Sequence, residues 1–154
     1  MVMPSMFQAE VQDSLVIQAS KRQVFNTLLQ WSTFPEWNPY ITRIDGKPEV
    51  GQDINVVFFM GMGPRMPLRC KVLTADAQKT TLSWEYKAPL PWLYTAQHSF
   101  VIQEIHPGQC QIMQKEAMQG VFACRLLGFL HGILRKRFQL MHAALREQVK
   151  RSAA

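Results

Sequence analysis

The chain has 154 residues, of which 47% are hydrophobic and 18% charged, with nine Met, nine Phe and four Trp. This length suits one domain with a real core, and the composition excludes intrinsic disorder. The 17 Lys and Arg against 11 Asp and Glu leave a formal +6, a balance that suits anionic partners without identifying one.

Phe7 to Ala19 alternates enough β-favouring residues to read as a strand. Ser20 then starts a helix, with Gln23 three residues on to complete a capping box, and Val24, Phe25, Leu28 and Leu29 form its apolar face. Thr33 and Glu36 repeat the capping-box spacing, Pro35 fits a first helical turn, and Pro39 ends this second, shorter helix. Six strands follow: Ile41 to Gly46, Gln52 to Met60, Leu68 to Ala75, Thr80 to Lys87, Tyr94 to Ile105 and Cys110 to Gln119. Their connections are too short for parallel crossovers, so the sheet is predicted to be antiparallel. From Val121 to about Arg151 the period turns helical. Leu127, Leu130, Leu134, Phe138, Met141, Leu145 and Val149 form one apolar stripe. The fold class is therefore α+β: a sheet of about seven strands, two short helices after the first strand, and a long C-terminal helix. One domain is expected over 1–154, with its core at about 7–150.

Residue order along the chain resembles the START-like, or SRPBCC, superfamily of polyketide cyclase/dehydrase-like and lipid-transfer domains. The likeness rests on Ile17 and Ala19, Val24 and Phe25, and then the run Phe34-Pro35-Glu36-Trp37-Asn38-Pro39. It continues through Gly51, Ile54 and Val56, Leu82 and Trp84, and His98, Phe100 and Ile102, to Gln114, Glu116, Met118 and Gly120. It implies the helix-grip fold, a curved sheet wrapped on the long helix, with a hydrophobic ligand pocket between them. It implies no particular reaction, because the fold serves carriers, receptors and cyclases alike.

Strand parity sorts the side chains. Leu68, Cys70 and Val72, then Leu82, Trp84 and Tyr86, then His98, Phe100 and Ile102 are predicted to face the long helix. Thr81, Ser83, Glu85 and Lys87 face away. If Ile112 and Met118 point inward, Gln114 and Glu116 go with them. His98 and Glu116 are then near cross-strand neighbours, and three readings stay open: a structural pair, a ligand anchor, or an acid–base couple. The candidate ligand-contacting set is Trp37, Phe58, Trp84, Tyr86, His98, Phe100, Gln114, Glu116, Leu127 and Leu130.

Gly128 and Gly132 share a helix face, where they serve either close approach to the sheet or a widened cavity. The Met-rich loop 60–67 and the loop 88–94, with Leu90, Trp92 and Leu93, are read as lids, contact sites or segments folded onto the core. The run Arg135-Lys136-Arg137 spreads around one helical turn as a solvated face, and nucleic acid is not expected as a partner.

Cys70, Cys110 and Cys124 form no Cys-x-x-Cys pair and are expected as reduced, buried thiols. No motif indicates a metal or other cofactor. The first 20 residues lack the features of a secretory signal, and no stretch is long and apolar enough to span a bilayer. The expected protein is cytoplasmic and binds a small hydrophobic or lipid-like molecule. Two alternatives are a cyclase- or dehydratase-type enzyme, and a peripheral membrane or protein-contact module using the apolar loops.

Overall fold

The computed structural model describes residues 7–153, with the side chain of Leu127 outside the described set. Strand β1 (Gln8–Ile17) leads into α1 (Lys21–Leu29), a single 3-10 turn at Trp31–Thr33, and α2 (Phe34–Trp37). Strands β2 (Ile41–Asp45), β3 (Asp53–Phe58), β4 (Met66–Asp76), β5 (Thr81–Lys87), β6 (Thr95–His106) and β7 (Gln109–Gln119) follow, and α3 (Ala123–Ala153) closes the chain. All seven strands form one sheet in the order β1-β7-β6-β5-β4-β3-β2, and every neighbouring pair is antiparallel. The fold is the α+β helix-grip, a curled half-barrel closed by the long helix.

The helix stripe explains the closure. Leu134, Phe138, Met141, Leu145 and Val149 are buried against the sheet, at about 1.5–3 kcal/mol for each large side chain removed from water. Facing them are Ile54 and Val56 on β3, Cys70 and Val72 on β4, Leu82 and Trp84 on β5, and Phe100 and Ile102 on β6. A bulge between Val72 and Thr74 shifts the β4–β5 register, and such bulges sharpen sheet curvature. The same bulge accounts for a departure from parity. Ser83, expected to face solvent, is buried with its hydroxyl 2.7 Å from that of Thr74.

Helix α1 has the predicted capping box: the Gln23 N–H donates to Ser20 Oγ (3.2 Å), and the Ser20 N–H donates to Gln23 Oε1 (3.0 Å). The second box does not form. The Thr33 hydroxyl instead donates to the Gln30 carbonyl (2.8 Å) and accepts the Trp37 indole N–H (3.0 Å). The preceding 3-10 turn already supplies helical backbone at Thr33, so no free cap position exists there.

Gly128 and Gly132 do neither of the things expected of them: a Cβ built on either meets nothing within 4 Å. They lie on the open side of α3. Gly120, by contrast, is required. Its φ is +123°, and a Cβ there would stand 2.4 Å from the Leu93 carbonyl oxygen. The basic run is also less solvated than its spacing suggested. Arg137 folds inward to donate to the Pro39 carbonyl, and its guanidinium stands over the Phe59 ring. Of the thiols, Cys70 and Cys110 are buried, but Cys124 is exposed on the first turn of α3, where its sulfur lies 3.6 Å from the Gln8 carbonyl of β1. Among the described residues, no helix is long and apolar enough to cross a membrane.

Candidate functional site

The ends of β3 to β7 at one pole of the half-barrel surround a cavity of about 240 Å³ beneath the start of α3. Phe58 closes β3, Met66 and Leu68 open β4, Tyr86 lies near the end of β5, Tyr94 precedes β6, and Glu116 and Met118 lie late on β7. Tyr40 and Met60 complete the wall, and Leu126, Leu130 and Leu134 of α3 form the roof. Glu116 is the one charged residue among these. Tyr40 is fixed by the turn before β2: the buried Asn38 side chain accepts from the N–H of Tyr40 (3.0 Å) and of Ile41 (2.9 Å).

Behind Glu116 lies a polar chain that runs into the core. His98 and Glu116 are directly paired across β6 and β7, and the His98 Nδ1 bonds Glu116 Oε2 in a short contact. On the other side of the ring, the Gln114 amide nitrogen lies 2.9 Å from His98 Nε2 and 3.6 Å from the Met141 sulfur. An amide N–H can only donate, so Nε2 accepts and Nδ1 carries the proton given to Glu116. The imidazole is clamped by aromatics. Trp84 stacks on it at 5.2 Å and 8°, with Phe100 at 4.9 Å and Phe138 at 5.6 Å. His98 and Gln114 are both buried, whereas the Glu116 side chain keeps 12% exposure on the cavity side.

Burial first, and the Glu116 charge second, push the phenols of Tyr40 and Tyr94 above their ordinary range. Both therefore stay protonated and able to donate. The same two causes, in the same order, push the Cys70 thiol up to about 12.

Four of the candidate residues, Phe58, Tyr86, Glu116 and Leu130, line the cavity. His98 and Gln114 stand behind Glu116 and hold it. Trp84 and Phe100 are core residues packed on His98. Trp37 lies away from the cavity, with its ring 5.0 Å from Phe34. Leu127 falls outside the described side chains. Sequence reasoning did not select Tyr40, Met60, Met66, Leu68, Tyr94, Met118, Leu126 or Leu134 as contacts. Parity would have added Tyr94, two before Ala96 and four before His98, and helix spacing would have added Leu126, four before Leu130. Tyr40 carries no such signal, because a turn sets its direction.

A larger, open depression lies on the other face of the sheet, lined by Asp53, Arg69, Lys71, Glu85 and Lys87 among others. Its charges pair with one another, as in Arg69–Asp53 at 2.9 Å and Lys87–Glu85 at 3.1 Å, which marks an ordinary solvated surface.

The family model described as polyketide cyclase/dehydrase and lipid transport matches residues 8–153. The chain belongs to this family. Within the START/SRPBCC-like superfamily, its fold is similar to an aromatase/cyclase from Streptomyces sp. R1128, at TM-score 0.77 and 8% identity over 96% of each chain. It is also similar to norcoclaurine synthase from Thalictrum flavum, at TM-score 0.74 and 13% identity over 96% of this chain and 97% of that one. A Mesorhizobium loti protein superposes at TM-score 0.69 with 20% identity, over 93% and 98% of the two chains. At these identities the likeness shows the fold. No curated protein sequence matches the chain. In this member of the polyketide cyclase/dehydrase and lipid transport family, the cavity, the Glu116 carboxylate and its His98–Gln114 support are therefore read from this chain's own geometry.

Proposed function

We propose that this protein binds a compact apolar molecule carrying a hydrogen-bond-donating or cationic group. The observation that carries the reading is the Glu116 carboxylate, set in the wall of an otherwise uncharged cavity and held from behind by His98. With Oε2 engaged by the imidazole, Oε1 is the acceptor left for an occupant. Met60, Leu68, Met118 and Leu130 would take the apolar body, and the phenols of Tyr40 and Tyr94 offer further donors. A volume of about 240 Å³ suits one or two rings, below the roughly 300–1,000 Å³ of drug-sized pockets.

The test is titration with a matched set of one- and two-ring molecules that differ only in bearing an amine, a hydroxyl, a carboxylate or no polar group. Amines and alcohols should bind, and carboxylates should not. Glu116→Gln should weaken the amine at least about tenfold, equivalent to about 1.4 kcal/mol, and leave the hydrocarbon unchanged. Equal affinity for carboxylates and amines, or no change in Glu116→Gln, would overturn the reading.

The His98–Glu116 pair also favours a second reading, in the enzyme class. Glu116 would accept a proton from an acidic C–H or O–H of a bound polyketide-like substrate, and the Nδ1–H would keep the carboxyl group oriented. Turnover of a small β-diketone that persists in Glu116→Gln would rule this out.

A further inference from the structure

We propose that the pole bearing the cavity mouth docks on an anionic lipid bilayer. Three separate segments meet there: the β3–β4 connection, the β5–β6 connection, and the first turns of α3. The N–H of Val121 donates to the Trp92 carbonyl (3.2 Å) and that of Phe122 to the Leu93 carbonyl (3.3 Å), so the β5–β6 connection is tied to the helix start. Met60 and Leu126 line the same cavity, which brings in the β3–β4 connection. Each segment leaves a large apolar side chain in solvent: Met62 is 76% exposed, Trp92 54% and Phe129 79%. Leu90, Val121 and Phe122 are exposed beside them. Scattered exposed apolar residues are ordinary, but a group drawn from three segments at one pole marks a contact surface.

Charge indicates what the surface meets. Residues 59–67, 88–94 and 120–137 contain no Asp or Glu, yet they contain Arg65, Arg125 and Lys136, besides Arg135, which pairs with Asp13 (3.9 Å), and Arg137, which is turned onto the Pro39 carbonyl. No acidic residue occurs anywhere between Glu116 and Glu147, and Glu116 itself lines the cavity. A partner for this pole must therefore be anionic and accept protruding apolar groups at once. An anionic bilayer does both: lipid phosphates and serine headgroups meet the cations. The acyl boundary takes up Trp, Phe and Met side chains from an irregular surface, because a fluid interface conforms to it. Docking of this kind would set the cavity mouth against the lipid phase, and it does not depend on which molecule the cavity holds.

Co-sedimentation of the full chain with vesicles of phosphatidylcholine alone, and of phosphatidylcholine mixed with phosphatidylserine, tests the proposal. Binding to the mixed vesicles at low salt, lost at high salt and much weaker on neutral vesicles, is expected. Trp31 and Trp84 are buried and Trp37 is half-buried, so a blue shift of tryptophan emission on vesicle addition should come from Trp92. Trp92→Ala combined with Phe129→Ala, and separately Arg125→Glu combined with Lys136→Glu, should each weaken binding at least about tenfold with the fold unchanged. Glu116→Gln should bind vesicles like the wild type, which separates this test from that of the cavity. Absence of binding, equal binding to both vesicle types, or unaffected variants would overturn the proposal. So would self-association of the protein alone, abolished by the Trp92 and Phe129 substitutions, which would assign the surface to a second copy.

Discussion

Replacing His98 separates the packing role of its ring from its polar role. The ring lies against Trp84, Phe100 and Phe138 with 1% exposure, so His98→Ala opens a hole of aromatic size, and truncations of this kind cost about 3–5 kcal/mol. It also removes the partner of the buried Gln114 amide, whose unmet donor adds about 1–3 kcal/mol. The sum, about 4–8 kcal/mol, is a large share of the roughly 5–15 kcal/mol that stabilises a domain. At about 2–4 °C per kcal/mol for a chain of this size, His98→Ala should lower Tm by at least about 8 °C. His98→Phe keeps most of the packing and loses only the polar partners. Glu116 can turn towards the cavity and be solvated there, so the cost should be about half as large. Thermal unfolding followed by near-ultraviolet circular dichroism reads both. A His98→Ala protein within about 1 kcal/mol of wild type, or a His98→Phe protein less stable than His98→Ala, would refute the reasoning.

Thiol chemistry should follow burial. Burial and the Glu116 charge hold the Cys70 thiol at about 12, and burial followed by the Glu104 charge raises that of Cys110, so a disulfide reagent at neutral pH should label Cys124 alone in the folded protein and three thiols after unfolding. Fast labelling of more than one thiol in the folded state would contradict the packing. Burial, with His98 nearby as a smaller cause, pulls the His142 pKa down from 6.5 against the opposing pull of Asp13. The unfolded chain thus binds the proton at higher pH than the folded chain. The stability gained by keeping His142 neutral is complete above about 6.5 and falls as pH drops below it. Urea unfolding should show the stability gap between wild type and His142→Gln narrowing from pH 7.5 to 5.5, and a gap that widens would reverse this sign.

Much of this architecture was legible because the periods are clean. Leu134, Phe138, Met141, Leu145 and Val149 recur at helical spacing, and the structure buries all five. On β6, His98, Phe100 and Ile102 alternate with Gln97 and Ser99, so one strand's parity placed His98 inside and the β6–β7 register then placed it opposite Glu116. What was not legible depends on three-dimensional closure. The cavity occupies only the pole where strand ends, turns and the helix start converge, and periodicity alone does not say which inward residues reach it. Trp84 and Phe100 thus share parity with Tyr86, yet they pack on His98 while Tyr86 lines the cavity. Thr33 shows the local limit: the spacing of a capping box was present, but the preceding turn had already fixed the backbone.

The buried polar groups also bear on why the cavity is built this way. Two histidine–carboxylate pairs lie on either side of Gln114: His98 with Glu116, and His142 with Asp13 at 3.1 Å, where Asp13 stands opposite Gln114 in the β1–β7 register. Between them, Gln114 Oε1 and His142 Nε2 are buried without a hydrogen-bond partner, and each such group costs about 1–3 kcal/mol. Apolar residues in place of a buried polar network are often neutral or stabilising, and the inward neighbours Ile112 and Met118 show that β7 accommodates them. Stability alone would therefore favour an apolar side chain at 114. What the Gln114 amide does instead is fix the proton of His98 on Nδ1, and that proton fixes one oxygen of Glu116. The chain of contacts runs from the core to the cavity wall and ends in a directed acceptor there. On the proposed function, the acceptor that this buried support directs is the one an occupant of the cavity would meet.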